Sequence, residues 1–249
     1  MMPLCKNLIT NGVLIVPKRI QLDHPGKPRD EWTWPPGDTH FAEHGKWYEY
    51  QRRGRDAFMR AVQKEADFKD EPPYMGPSTL HTLLDIGAHA GTWSLDLAGR
   101  FTKVIAWEPE HWATLSRNAA WLNTNNVEVR PHAVSDRSRE VAFWSRADNT
   151  GDSGIDLGEV TEARVKRMIM TRVIDQELEA YQGQVDAVKI DVQGHEYWVL
   201  AGMTKTIEKH QPVICVELND GNPAAETLLK SWGYAVEERV GKDWIWMPK

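Results

Sequence analysis

The chain has 249 residues, of which 41% are hydrophobic and 27% are charged, as in ordinary folded proteins. These proportions exclude a disordered chain, and this length is enough to bury a sizeable core without covalent cross-links. The 36 acidic residues outnumber the 30 lysines and arginines, and the resulting formal charge of −6 argues against a protein that grips nucleic acid along its length.

Membrane and disulfide-based classes are also disfavoured by the sequence. The two cysteines, Cys5 and Cys215, are far apart and form no CxxC pair. Apolar runs such as 213–216 are too short to span a bilayer. Because residues 1–6 carry no signal-peptide pattern, we expect a cytoplasmic protein without a membrane partner.

Residues 1–78 predict an N-terminal extension that differs from the rest of the chain. Apolar residues between Leu8 and Val16 flank an Asn-Gly pair, which predicts a short hairpin. A loop rich in proline and glycine follows, from Pro25 to Gly37. Apolar spacings of three and four residues then predict a helix over 41–68.

Residues 79–249 predict an α/β domain in which strands alternate with helices. Strand patterns lie at 83–86, 103–107, 127–134, 185–190 and 212–218, and helical patterns at 92–100, 112–122 and 196–209. This alternation predicts a mostly parallel sheet covered by helices on both faces. Two final strand patterns flank Gly241 and predict a C-terminal hairpin, with an antiparallel strand at the sheet edge.

The strongest motif is the loop Asp85-Ile-Gly-Ala-His-Ala-Gly91, which follows the first parallel strand and opens a helix. Its glycines allow a sharp turn and a close approach to a ligand. Glu108 lies 23 residues beyond Asp85 (108 − 85), at the end of the next strand pattern. An acidic residue at this spacing is typical of a site that binds ribose, where its carboxylate can accept from both hydroxyls.

The glycine spacing and Asp85 indicate which nucleotide this loop would hold. A dinucleotide site has the pattern G-x-G-x-x-G, whereas this loop has G-x-x-x-G with a carboxylate in front of it. That carboxylate would repel a pyrophosphate and attract a cation. The sequence therefore favours S-adenosylmethionine, which has a sulfonium charge and no phosphate, over the alternative of an NAD-dependent oxidoreductase.

At this point the sequence resembles a known family. Four segments carry the resemblance: 85–91, Trp107-Glu-Pro-Glu, Ala133-Val-Ser-Asp, and the most specific one, Lys189-Ile-Asp-Val-Gln-Gly-His-Glu196 followed by Val199-Leu-Ala-Gly. They look like the FkbM-type S-adenosylmethionine-dependent methyltransferases. The resemblance implies a Rossmann-like class I methyltransferase fold with a seven-stranded sheet, and methyl transfer to a hydroxyl of a small molecule or glycan.

The resemblance also implies roles for individual residues around the cofactor. The residues implied to bind it are Asp85, Gly87, Ala88, His89 and Gly91 at the methionine end, Glu108 and Pro109 at the ribose, Ser135 and Asp136 near the adenine, and Asp191. Two positions depart from the family pattern, which often has Asn in place of His89 and usually has Glu in place of Gln193.

The candidate catalytic residues are Asp191, His195 and Glu196, because a hydroxyl acceptor needs a base within hydrogen-bond reach. In the alternative interpretation, the two carboxylates cap the following helix or complement its dipole, and His195 is a partly exposed surface residue. A second alternative is a Mg²⁺ site formed by Asp191, Glu217 and Asn219, at the ends of neighbouring strands.

The extension is interpreted as a cap over the acceptor site. Its candidate stacking residues are Trp32, Trp34, Trp47, Tyr48 and Tyr50. Two other function classes stay open: a non-catalytic binding module, which the departure at Gln193 favours, and a nucleic-acid methyltransferase, which the acidic charge disfavours.

Overall fold

The computed structural model describes residues 8–10, 13–15, 33–36, 38, 45–69, 80–146, 148–156, 165–218 and 223–249. The strands, in chain order, are β1 (Leu8–Thr10), β2 (Val13–Ile15), β3 (Thr33–Trp34), β4 (Leu80–Ile86), β5 (Phe101–Trp107), β6 (Val127–Arg130), β7 (Ala133–Val134), β8 (Glu140–Ser145), β9 (Gly154–Ile155), β10 (Val165–Arg172), β11 (Ala187–Ile190), β12 (Val213–Glu217), β13 (Tyr234–Val240) and β14 (Asp243–Pro248). The helices are α1 (Gly45–Lys69), α2 (Ser94–Leu97), α3 (Trp112–Leu122), α4 (Ile174–Glu177), α5 (Glu196–Ala201), α6 (Thr204–His210) and α7 (Pro223–Ser231). None of the helices in these ranges has the length and apolar character needed to cross a membrane.

The central sheet has seven strands in the order β13-β14-β12-β11-β4-β5-β6. Neighbouring strands are parallel except at β14, which runs antiparallel to both β12 and β13. The predicted α/β fold, its mostly parallel sheet and its C-terminal hairpin are therefore confirmed. The antiparallel strand lies one position in from the sheet edge, because the buried residues Ile245 and Trp246 pair with β12.

Alternate residues of each strand face the two sides of this sheet, where separate helices cover them. On one side, Leu84, Ile190 and Val216 belong to the larger core cluster, which α5, α6 and α7 help to complete. On the other side, Leu83 and Val213 pack with apolar residues of α1. A helix of the extension is thus part of the hydrophobic core of the sheet.

Register places a row of polar side chains on the α1 side of the sheet. Lys189 of β11 lies directly opposite Asp85 of β4 and Cys215 of β12. All three side chains are buried. Since side chains opposite each other in neighbouring strands share a face, Lys189 and Asp85 are brought together beneath the carboxyl ends of the strands.

A second sheet has the order β7-β10-β8-β9, and of its strands only β7 lies within a predicted strand. It begins where the predicted strand over 127–134 divides. Pro131, which has no backbone N–H, follows β6, and the chain re-enters a ladder as β7 in the second sheet. The sequence of β10 does not alternate between apolar and polar residues, so no period-two pattern indicated this strand.

The predicted helix over 196–209 is also divided, between α5 and α6. The N–H of Gly202 is bonded to the carbonyls of Trp198 and Val199, which closes α5. A Cβ on Gly202 would lie 2.3 Å from the carbonyl oxygen of Ser135. This glycine therefore allows the end of α5 to approach the 135–136 loop closely.

The predicted N-terminal hairpin is confirmed in the described part of the extension. β1 pairs antiparallel with β2, and β2 pairs with β3. The predicted helix over 41–68 is observed as α1, shifted by a few residues.

Candidate functional site

A cavity of about 660 Å³ lies at the carboxyl ends of β4, β5, β11 and β12. Ligands bind at this edge in open α/β sheets. The predicted site residues that line it are Asp85, Gly87, Ala88, His89, Glu108, Pro109, Asp191 and His195, together with Glu217 of the alternative metal site. The predicted site residues that do not line it are Gly91, Ser135, Asp136 and Glu196.

The glycine loop is shaped by contacts within the protein. Gly87 has φ +86°, and a Cβ there would lie 1.8 Å from the backbone oxygen of Asp191. Gly91 has φ +97°, and a Cβ there would press on the side chains of Leu95 and Leu115. These glycines permit close packing of protein against protein, whereas the sequence had suggested close approach to a ligand.

Asp85 is buried at the base of this loop. Its carboxylate accepts a hydrogen bond from Ser94 Oγ at 2.5 Å. Burial raises the pKa of Asp85 to about 6, and the hydrogen bond from Ser94 and the positive charge of Lys189 limit the rise. At neutral pH the group is therefore ionised, but it is less well solvated than a surface carboxylate, so a cation in the cavity would stabilise it.

The side chain of Glu108 binds backbone N–H groups of the glycine loop and of the residues that follow β5. Its Oε1 accepts the N–H groups of Glu110 at 2.7 Å and His111 at 2.8 Å, and its Oε2 accepts the N–H of His89 at 2.9 Å. Burial raises its pKa. Since a carboxylate has about four acceptor positions, one remains for a ligand. Glu108 can therefore accept from one ribose hydroxyl in this arrangement, and not from both as the sequence suggested.

Asp191 and Glu217 lie at the ends of adjacent strands and share one amide. Gln193 Nε2 donates to Asp191 Oδ1 at 2.7 Å and to Glu217 Oε2 at 2.8 Å. The family's usual Glu at position 193 could not make both contacts when ionised. In this chain the departure from the pattern thus supplies a donor that joins two carboxyl groups.

Lys189 provides the positive charge next to this pair. Its ammonium group lies 3.0 Å from Asp243 Oδ1 and 3.5 Å from Asp191 Oδ2. Burial alone would lower the pKa of Lys189, but these two carboxylates raise it well above its ordinary value. The ammonium group also lies 4.8 Å from the ring centre of Trp93. Lys189 is therefore a permanently charged group inside the site.

The two carboxyl groups of the pair differ in protonation. The negative charge of Asp191, together with burial, raises the pKa of Glu217 to about 9. Burial opposes ionisation of Asp191, but Lys189 and the hydrogen bonds from Glu217 and Gln193 hold its pKa below the ordinary value. At neutral pH Asp191 is thus the carboxylate and Glu217 the carboxylic acid.

The other two predicted catalytic residues lie in different surroundings. His195 is buried, its Nε2 lies 2.9 Å from Ser135 Oγ, and burial lowers its pKa to about 4. It is therefore neutral and reaches the cavity wall. Glu196 is buried in the first turn of α5 and accepts the N–H of Gly194 at 2.9 Å; because Gly194 precedes the helix, this contact caps no helical N–H. Asp136 forms an ion pair with Arg137.

Several lining residues were missed by the sequence reasoning. They are Lys189, Glu110, His111 and the loop 149–154 between β8 and β9. Glu110 and His111 directly follow the predicted ribose residue, so their position in sequence was an available signal. The 149–154 loop carries no comparable motif.

The proposed stacking residues of the extension are placed only in part. Tyr50 lines the cavity, and its hydroxyl accepts the N–H of Lys242 at 2.9 Å. Trp34 packs against the cluster around Leu115 and not on the cavity. Trp32 lies outside the described residues, as do the side chains of Trp47 and Tyr48.

The alternative magnesium site is represented by only two of its three members, since Asn219 lies outside the described residues. Within the described ranges, no group of three or more His, Cys, Asp or Glu side chains is arranged to hold a metal ion.

The methyltransferase FkbM domain matches the chain over residues 85–236, which is more than half of its length. The chain belongs to the FkbM methyltransferase family. The matched region contains Asp85, Glu108, Asp191 and Glu217, and it excludes α1, so the extension contributes Tyr50 to the cavity from outside the family domain.

Solved structures of methyltransferases are similar to this FkbM chain in fold. Methyltransferase FkbM from Methylobacillus flagellatus KT is 16% identical with a TM-score of 0.47; the match covers 81% of this chain and 60% of that one. Magnesium protoporphyrin IX methyltransferase from Synechocystis PCC 6803, solved with bound SAM, is 10% identical with a TM-score of 0.45, over 85% of each chain. Precorrin-6y C5,15-methyltransferase from Geobacter metallireducens GS-15 is 15% identical with a TM-score of 0.41, over 64% of this chain and 65% of that one. No curated protein sequence matches the chain.

Proposed function

We propose that this protein is an S-adenosylmethionine-dependent O-methyltransferase that acts on a hydroxyl group of a small molecule or glycan. The observation that carries the proposal is the placement of Asp85, Glu108 and Asp191 around one cavity, at the ends of three adjacent strands. In this arrangement Asp85 and Glu108 would bind a cationic nucleoside, and Asp191 would serve as a carboxylate base in the same cavity.

The residues present fit S-adenosylmethionine. The cavity volume of about 660 Å³ lies within the ~300–1,000 Å³ of small-molecule sites. Asp85 provides a buried negative charge, and Glu108 keeps one acceptor position for a ribose hydroxyl. The helix that follows the loop, α2, has four residues and begins with the donor to Asp85. A pyrophosphate would meet this carboxylate, so the charge distribution favours the phosphate-free ligand.

The acceptor would lie between the carboxyl pair and α1. When bound, S-adenosylmethionine supplies a methyl group that its sulfonium charge activates. Asp191 is the ionised carboxylate on this wall and would accept the hydroxyl proton of the acceptor. Lys189 and Gln193 hold Asp191 in position, and Tyr50 of α1 lines the same cavity.

Neutral His195 is the second candidate base of the proposal. Ser135 Oγ donates to Asp136 Oδ1 at 3.0 Å, so His195 Nε2 donates to Ser135 at 2.9 Å and the Nδ1 of the neutral ring keeps the lone pair. Asp191 is already ionised, with its Oδ2 3.5 Å from Lys189, whereas burial opposes the positive charge that His195 would acquire on taking a proton. We therefore assign the base to Asp191 in preference to His195.

Calorimetric titration tests the cofactor first. We expect S-adenosylmethionine and S-adenosylhomocysteine to bind, and NAD to show no measurable binding. Tight NAD binding with none of the sulfur compounds would refute the proposal in favour of an oxidoreductase. Strong, salt-sensitive binding of an oligonucleotide would instead favour nucleic acid as the acceptor.

Methyl transfer to a set of sugars, phenols and hydroxylated metabolites then tests the reaction, with release of S-adenosylhomocysteine as the readout. Asp191→Asn is expected to lower the rate by at least about 100-fold, since it removes the general base. The matched control is Asp56→Asn, the same change on the exposed face of α1, where Asp56 pairs with Arg52. Equal rates for the two variants would remove Asp191 from the mechanism, and binding without transfer to any acceptor would favour a non-catalytic module.

A further inference from the structure

Three side chains from separate parts of the chain meet beside the glycine loop. The backbone N–H of Thr150 donates to Asp38 Oδ2 at 3.1 Å, and the Thr150 hydroxyl bonds to the same oxygen. His89 Nε2 lies 2.7 Å from Thr150 Oγ1. Asp38 is completely buried although it belongs to the N-terminal extension, outside the matched family domain.

The segment that carries Asp38 is attached to the same loop by backbone contacts. The N–H of Thr33 donates to Asn118 Oδ1 at 2.9 Å, and Asn118 Nδ2 donates to the carbonyls of Thr33 and Ala90, both at 3.0 Å. Asn118 of α3 thus joins the extension to the glycine loop. These contacts fix the position from which the Asp38 carboxylate reaches Thr150.

Donor and acceptor roles in this chain of hydrogen bonds are determined by its ends. A carboxylate can only accept, and a threonine hydroxyl has one proton, so Thr150 directs that proton to Asp38. The remaining lone pairs of Thr150 Oγ1 must then accept the proton of His89 Nε2. Burial lowers the pKa of His89 to about 3, so the ring has one N–H and not two.

We propose that Asp38 and Thr150 form a hydrogen-bond relay that fixes His89 in its Nε2–H form and so make the N-terminal extension a positioning part of the cofactor loop. His89 has a left-handed backbone with φ +51°, and its N–H is bonded to Glu108 Oε2. The relay holds the side chain of the same residue. His89, which lies between the two glycines of the loop, is therefore held by both its backbone and its side chain. With the proton on Nε2, the Nδ1 of His89 has a lone pair and can accept a hydrogen bond.

The position of the His89 proton can be tested in the protein without a ligand. The effect of that proton on the affinity for S-adenosylhomocysteine rests on the proposed function. Nitrogen-15 NMR of histidine-labelled protein reads the proton directly, and the signals missing from His89→Asn identify His89. We expect a protonated Nε2 and an unprotonated Nδ1 in the wild type. A protonated Nδ1, or an equal mixture of the two forms, would overturn the proposal.

Variants at position 150 then separate the relay from simple packing. Thr150→Val keeps the shape and removes the hydroxyl; we expect a mixture of the two His89 forms and an affinity for S-adenosylhomocysteine about fivefold lower. Thr150→Ser restores the hydroxyl and should restore both readouts to within about twofold of the wild type. Asp38→Asn offers an amide donor to Thr150 and should increase the Nδ1–H form of His89.

Each outcome of this experiment bears on a different claim. An unchanged proton position and affinity in Thr150→Val would overturn the relay. If the wild type shows the Nε2–H form but binds neither S-adenosylhomocysteine nor S-adenosylmethionine, the relay is supported and the proposed function fails. If ligand binds and Thr150→Ser behaves like Thr150→Val, packing of the methyl group explains the effect and the relay is wrong.

Discussion

The charge of Asp85 is expected to make cofactor binding depend on pH. Burial raises the pKa of Asp85 from 3.8 to about 6, which corresponds to a penalty of ~3 kcal/mol for the ionised form in the free protein. A cationic ligand stabilises the ionised form and therefore binds more tightly above this pKa. At pH 5 about one molecule in ten carries the charge, so affinity for S-adenosylmethionine should be about tenfold lower than at pH 7.5.

Calorimetry or equilibrium dialysis between pH 5 and 7.5 measures this dependence. Asp85→Asn keeps an oxygen acceptor for Ser94 Oγ but has no charge to titrate. Its affinity should therefore be low and nearly constant over the range. Adenosine, which has the ribose and the base but no cationic end, is the matched ligand and should show no such slope in the wild type.

Two results would refute the reasoning. Equal affinity of the wild type for S-adenosylmethionine at pH 5 and pH 7.5 would mean that Asp85 does not interact with the cation. A slope that persists in Asp85→Asn would assign the dependence to another group, such as Glu108, whose pKa burial also raises.

Three further predictions concern stability, each measured by urea unfolding. Lys189→Met leaves the Asp243 carboxylate buried without its ammonium partner and should lower the free energy of unfolding by about 3 kcal/mol; a loss below ~1 kcal/mol would contradict the importance of this pair. Gly202→Ala places a Cβ against the Ser135 carbonyl and should cost about 2 kcal/mol, whereas Gly99→Ala, where nothing lies within 4 Å, should cost far less. Folding raises the pKa of Glu217 from 4.5 to about 9, so between these pH values the native state holds a proton that the unfolded state loses. The free energy of unfolding should therefore fall as pH rises through this range, by up to about 1.4 kcal/mol per pH unit. The Glu217→Gln variant, which has no proton to lose, should show a shallower fall.

The parts of the site that the sequence predicted are those that local order determines. Asp85 lies one residue before the end of β4, and Glu108 and Asp191 directly follow β5 and β11. Once the alternation of strands and helices is recognised, the carboxyl ends of those strands meet at one edge. The side chains of these three residues therefore reach one cavity. The sequence could predict this convergence without any knowledge of the distances between the residues.

The parts that the sequence did not predict depend on register and on long-range contacts. Lys189 meets Asp243, 54 residues away, because β14 inserts beside β12. Thr150 reaches His89 across 61 residues, and Asp38 reaches Thr150 across 112. No local pattern encodes such pairings, since each requires the strand order and the path of a loop to be known first.

The departure at Gln193 gains its meaning only from such contacts. In sequence it suggested a lost carboxylate and hence weaker chemistry. In the structure its amide donates to both Asp191 and Glu217, so an ionised glutamate there would place a second negative charge beside the Asp191 carboxylate. The substitution is thus compatible with catalysis through Asp191.

Charge balance around the cavity provides the last link between fold and ligand class. Lys189 is paired with Asp243, and protonated Glu217 adds no charge at neutral pH. The negative charges of Asp191 and Asp85 are then only partly balanced by the same ammonium group. This excess follows from sheet register, which sets one buried lysine among several carboxyl groups. A ligand that brings positive charge lowers the free energy of this arrangement, and one that brings a pyrophosphate raises it.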